Sequence, residues 1–176
     1  MKIGLKSVLV GYHAWWLHPF FVAEGWRRIY GFPLDPRLWI AFMVHDLGYW
    51  ECEHMDDDKG EQHPFFGAKI MHALFDRDYW SPDYWYDFCL LHSRSLAKAY
   101  RSPISKLAYA DKLAFLLYPK WLLRVLYFFS GEWEEYRRHC YGVANDQHAP
   151  LPWDEWYHQA SLTNIKTLKE IGYVCE

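Results

Sequence analysis

The amino-acid sequence predicts an all-α protein, and three observations carry that expectation. No run alternates apolar and polar residues with period two between hairpin signals, so no strand is expected. Prolines stand directly behind N-capping residues at Asp35-Pro36, Ser81-Pro82 and Ser102-Pro103, the arrangement that opens a helix. Glycine or proline then closes the apolar segments, at Gly31, Gly48, Pro119 and Gly172.

The elements follow in chain order. A first amphipathic helix is expected over 7–30, stopped by Gly31 and Pro33. The next covers 36–47; Leu38, Ile40, Ala41, Phe42, Met43 and Val44 make it apolar nearly all round, so it reads as buried. The stretch 50–62 carries Glu51, Glu53, Asp56, Asp57, Asp58 and Glu61 and reads as a solvated surface loop. Helices are expected over 64–75, from Pro82 to 91 or 92, and over 103–118, where Pro119 breaks the chain. Shorter helical pieces follow near 120–129 and 131–141, then a loop at 146–152. A last helix starts at Trp153 and sets Trp156, Ala160, Ile165 and Leu168 on one side.

Composition narrows the function classes. Hydrophobic residues are 52% of 176, enough for a sizeable core. Aromatic residues reach 20%, which predicts ring-packed interior first and an aromatic-lined pocket second. A formal charge of -3 argues against non-specific nucleic-acid binding, which needs a basic face. Cys52, Cys89, Cys140 and Cys175 contain no C-x-x-C pair and read as free thiols of a cytoplasmic protein. No signal peptide or transmembrane helix is expected. The most apolar stretch, 113–129, is interrupted by Pro119, Lys120 and Arg124 and reads as a buried helix pair, with a peripheral membrane contact as the lesser alternative.

Ten histidines require more than packing. His45 and Asp46 end the apolar helix "WIAFMV", and two adjacent polar groups there are costly to bury without partners. Neighbouring helical residues point about 100° apart. The pair therefore reaches one metal only from a helix end, or addresses two metals with the carboxylate bridging. His18, His63 (directly before Pro64), His92 and Asp111 (inside "KLAYADKLAFL") are further candidates on separate expected helices. Imidazole and carboxylate suit iron, manganese, zinc or cobalt.

The order His18, His45-Asp46, Asp111 resembles the HD-domain superfamily of metal-dependent phosphohydrolases. The matching stretches are "HPFFVAEGWRRIYGFPLDPRLWIAFMVHDLGYW" and "ISKLAYADKLAFL". "HPFFGAKIM" and "LLHSRS" are similar to the additional histidine segments of the two-metal branches, which include HD-GYP cyclic-dinucleotide phosphodiesterases and diadenosine tetraphosphate hydrolases. The resemblance implies an HD-like helical bundle in a single domain, with a core over about 11–118 and a helical extension over about 119–176. It implies two divalent metals, iron or manganese first, with zinc, cobalt or nickel open. His18, His45, Asp46, His63, His92 and Asp111 would hold them, Asp46 bridging and holding the nucleophilic water. His13 competes with His18 for its place, and the "H-x-x-x-V-A" context favours His18.

Two departures matter. Tyr49 stands where many family members carry a lysine, and no Gly-Tyr-Pro follows His63. Arg94, Lys112 and Arg101 are the alternative sources of positive charge, weighed against ordinary surface charge; Tyr49, Arg94 and Lys112 are the candidate substrate-binding residues. The expected activity is hydrolysis of a small phosphomonoester or phosphodiester. The alternative is a di-iron oxygenase of the same fold, acting on a small polar substrate. A small-molecule substrate is expected, with no nucleic acid and no stable membrane insertion, leaving room for a homodimer. The acidic stretch 51–61 is expected to lie over the site.

Overall fold

A computed structural model describes residues 1–76, 83–139 and 152–174, with the side chains of 137–139 left out. The helices are α1 (Ile3–Val10), α2 (His18–Tyr30), α3 (Pro36–Val44), α4 (Asp58–Glu61), α5 (Pro64–Phe75), α6 (Tyr84–Leu90), α7 (Arg94–Ala99), α8 (Lys106–Leu117), α9 (Lys120–Ser130), α10 (Glu132–His139) and α11 (Trp153–Lys169), with a 3₁₀ helix at Leu47–Glu51. No strand occurs among the described residues, so the all-α expectation holds.

α8 is the axis of the packing. One side of it, through Leu107, Ala110 and Ala114, joins Val22, Phe42, Met71 and Phe88 in the core between α2, α3, α5 and α6. Its C-terminal end turns Phe115 and Tyr118 toward Tyr12, Leu123, Tyr127 and Trp156, a second and mostly aromatic core under α9 and α11. A smaller cluster of Val8, Tyr49, Cys52 and Met55 seats α1 against the 3₁₀ helix. Asp111 lies on α8 between the first two of these cores and is 6% exposed.

Several boundaries differ from expectation. The helix expected over 7–30 is two helices separated by a turn at 11–17. The turn forms because Trp15 N–H donates to the Val8 carbonyl at 3.0 Å and Tyr12 N–H to the Glu132 carboxylate at 3.0 Å. Pro19 in the first turn of α2 marks the restart. α3 stops at Val44, earlier than expected; its Asp35 cap is as read, accepting from Arg37 N–H at 2.9 Å. The acids of 51–61 are exposed, but the segment is anchored by buried Cys52 and Met55 and contains α4, capped by Asp57. α7 has no counterpart in the sequence reading; Ser93 opens it. The Ser81-Pro82 start lies outside the described residues, as does all but Pro152 of the loop expected at 146–152. Within the described part, buried Asp76 accepts the Trp85 and Tyr86 N–H groups at 2.8 and 2.6 Å and so caps α6. α8 begins at Lys106 rather than 103, and Pro119 breaks it as expected. Gly172 is left-handed at φ +73°, the conformation of a C-terminal cap.

No single helix among the described residues is long and apolar enough to cross a membrane. α8 and α9 satisfy length and composition only jointly, as a pair bent by 104°. The stretch 113–129 is not buried throughout: Trp121, Val125, Phe128 and Phe129 on α9 face solvent.

Candidate metal centre

The six candidate ligands come from five separate segments and converge. α3 delivers His45 as its C-cap and Asp46 just beyond it, at φ -102°, ψ 0°, so the pair does leave a helix end. α2 carries His18 in its first turn and α8 carries Asp111, and these two helices pack along one another. His63 is the N-cap of α5, and His92 follows the end of α6. Two glycines make the approach achievable. A Cβ at Gly48 would collide with the His63 carbonyl, and one at Gly67 with the Val44 carbonyl. Both residues let the start of α5 lie directly on the His45-Asp46 turn.

Asp46 sits between two groups. Its Oδ2 lies 2.9 Å from His45 Nε2 and 3.4 Å from His18 Nε2, and His18 Nε2 lies 3.2 Å from Asp111 Oδ1. Its Oδ1 lies 3.3 Å from His63 Nε2 and 3.2 Å from His92 Nε2. His18, His45, Asp46 and Asp111 form one candidate metal group, and Asp46, His63 and His92 another; all are buried.

The nitrogens are set up as ligands rather than as hydrogen-bond donors. Nδ1 of His45, His63 and His92 each faces a backbone carbonyl, of Phe42, Gly60 and Cys89, at 3.0, 2.7 and 2.5 Å. A carbonyl only accepts, so in the neutral ring Nδ1 carries the hydrogen and Nε2 offers a lone pair. Burial lowers the His45 pKa and lowers that of His63 to about 4, so both rings are neutral near pH 7. Yet Nε2 of His63 faces Nε2 of His92 at 3.2 Å, and both face a carboxylate oxygen. Acceptors meeting acceptors in a buried site demand a cation between them. His45 Nε2 and both ring nitrogens of His18 are buried without a hydrogen-bond partner. Donor atoms about 2.1 Å from one ion lie roughly 3.0–3.4 Å apart, the spacing seen in both groups. The donor set therefore fits a bound metal ion.

Charge balance agrees. Burial alone would raise the carboxyl pKa values. His45, His13 and His18 instead hold Asp46 well below the usual range, and Lys112 and His18 do so for Asp111. Burial also opposes protonation of His18, but Asp111 and Asp46 raise its pKa to about 9. A cation at that position is thus favoured, whether a proton or a metal.

A cavity of about 330 Å³ opens beside the cluster, with Asp111 in its wall. Tyr49, Arg94 and Lys112, the three candidate substrate residues, all line it. Tyr49 is stacked on the His63 ring at 3.8 Å, Lys112 is paired with Asp111 at 2.7 Å, and Arg94 Nη1 donates to Thr167 Oγ1 at 3.4 Å. No residue of the acidic stretch 51–61 lines this cavity; Glu51, Cys52 and Lys59 instead line a second one of about 680 Å³ that shares His63, whose ring is held by the Gly60 carbonyl. The opposite wall of the first cavity is Trp156, Gln159, Thr163 and Asn164 of α11. The polar residues Gln159 and Thr163, four apart and beside Trp156, are the sequence signal for that wall.

His13 is not in the ligand groups: its Nδ1 meets Ser7 Oγ at 2.8 Å and Glu132 at 3.4 Å, and its ring lines the cavity. Glu132, fully buried, has no sequence signal, because acids in the first turn of a helix are normally solvated. His54, His72 and His158 are exposed, while His148 lies outside the described residues and the His139 side chain is among those left out. Among the described residues Cys52 and Cys89 are free and buried; Cys140 and Cys175 lie outside them. No protein-family model, no curated protein and no solved structure matches this chain.

Proposed function

We propose that the chain is an HD-type phosphohydrolase that holds two divalent metals and cleaves a small phosphomonoester or phosphodiester. The observation that carries this reading is the shared carboxylate: each oxygen of Asp46 faces a different histidine group. It joins the motif order His18, His45-Asp46, His63, His92, Asp111 to a geometry with room for two cations. When bound, such ions supply Lewis acidity toward phosphoryl oxygens and lower the pKa of a water. The protein's own part is positional and electrostatic. Backbone carbonyls orient His45, His63 and His92, and an Nδ1–H donated to a carbonyl raises the basicity of the Nε2 on the same ring. Lys112 and Arg94 bring positive charge to the cavity where the lysine replaced by Tyr49 would have stood in the sequence pattern. Tyr49 carries its phenol along the wall on the His63 ring. A cavity of about 330 Å³ suits a substrate no larger than a mononucleotide.

The test is purified protein loaded in turn with Mn²⁺, Fe²⁺, Co²⁺, Zn²⁺ and Ni²⁺ and assayed on phosphomonoesters, phosphodiesters and nucleotides. Metal-stimulated release that His45→Ala abolishes is expected. Absence of release with every metal sinks the hydrolase reading. The aromatic wall of Tyr12, Phe115, Tyr127, Tyr136 and Trp156 favours a second reading, an HD-fold di-iron oxygenase with a less anionic substrate. Anaerobic purification and Mössbauer spectroscopy separate the two, since only the oxygenase needs a redox-active iron pair.

A further inference from the structure

The outer face of α9 is apolar. Trp121, Val125, Phe128 and Phe129 are 68%, 42%, 69% and 68% exposed. Trp121, Arg124, Val125 and Phe128 follow the i, i+3, i+4, i+7 spacing of one helical face, and Arg124 is exposed among them. The opposite face, with Leu123, Leu126, Tyr127 and Ser130, is buried in the molecule. Single exposed apolar residues are ordinary, but four large ones on one helix mark an interaction surface.

Charge selects the occupant. α9 contains no acidic residue, and its only charges are Lys120 and Arg124. Lys120 is paired with Asp154 at 2.6 Å, whereas Arg124 makes no ion pair among the described residues. Two copies of this face brought together would set cation against cation, with Asp154 of α11, already paired with Lys120, the acid beside them. A bilayer interface with anionic headgroups satisfies both parts of the face: rings enter the headgroup–acyl boundary and the guanidinium meets phosphate. α9 meets α8 at a bend of 104°, and neither helix is by itself long and apolar enough to cross a membrane.

We infer that α9 docks the protein in the plane of an anionic membrane surface, with Trp121, Phe128 and Phe129 as its apolar wedge and Arg124 as its headgroup contact. The experiment is co-sedimentation of the full chain with phosphatidylglycerol-containing vesicles and with pure phosphatidylcholine vesicles at physiological salt. Binding to the anionic vesicles is expected, with partitioning at least about tenfold weaker for Trp121→Ser/Phe128→Ser and several-fold weaker for Arg124→Glu. These side chains are solvated, so the variants retain the wild-type helical circular dichroism and melting temperature. Failure of the wild-type protein to bind anionic vesicles overturns the inference. So does a wild-type dimer, seen by sedimentation velocity without lipid, that Trp121→Ser/Phe128→Ser dissolves, because the face then belongs to a second copy.

Discussion

Asp46 is the residue on which the candidate site depends, because it is the only member of both metal groups. Its side chain is 10% exposed and meets four imidazoles, so removing one oxygen affects both sides at once. Asp46→Asn keeps the shape but supplies a neutral amide with one oxygen, which cannot bridge. The variant is expected to lose metal at both positions, whereas His92→Ala loses it at one. Elemental analysis of proteins purified in parallel decides this: if Asp46→Asn retains as much metal as His92→Ala, the carboxylate is not shared. The six candidate residues are legible in the sequence because buried polar residues next to apolar stretches stand out against their neighbours. The choice between His13 and His18 is also legible, through the H-x-x-x-V-A context that begins at His18. The tautomers are not legible, because each depends on a backbone carbonyl three residues away in the folded turn.

At the scale of elements, α10 holds the front of the molecule together through two buried acids. Glu132 accepts Tyr12 N–H and so fixes the turn that leads into His18. Glu135 accepts Met55 N–H at 2.7 Å and Asp56 N–H at 3.2 Å and so fixes the acidic stretch. All three bonds span about eighty residues or more in sequence, which is why no local pattern announces them. The helices of 36–44 and 64–75 are legible because each has its own proline start and apolar stripe. The break at 11–17 and the cap of α6 by Asp76 are not, because their partners are distant in the chain or buried by folding. Glu135→Ala leaves two amides without their acceptor, and a lost charged acceptor for buried donors costs about 2–3 kcal/mol. Urea unfolding should show that loss, with faster hydrogen exchange at Met55 and Asp56 than at α8. Unchanged exchange at those two amides would mean that the stretch is held by Cys52 and Met55 packing alone.

For the whole molecule, the site sets how stability follows pH when no metal is bound. His18 has a folded pKa raised to about 9 from 6.5, so its contribution is fully present below pH 6.5 and is lost as pH rises through 9. His63 has a folded pKa lowered to about 4, so its contribution is present above pH 6.5 and is lost as pH falls through 4. Each shift corresponds to about 3 kcal/mol at most, at 1.36 kcal/mol per unit. The chelated protein is therefore expected to melt highest near pH 6.5 and lower on both sides. A divalent ion at the Asp46–Asp111 group would take the place of the His18 proton, which the ring must give up to become a ligand. Stabilisation by added Mn²⁺ should then grow from pH 6.5 to 9, as the competing proton becomes scarcer. Binding at pH 7.5 should release about one proton, read by titration calorimetry in buffers of different ionisation enthalpy. Heats that do not depend on the buffer would place the ion away from His18, and with it the assignment of that histidine as a ligand would fall.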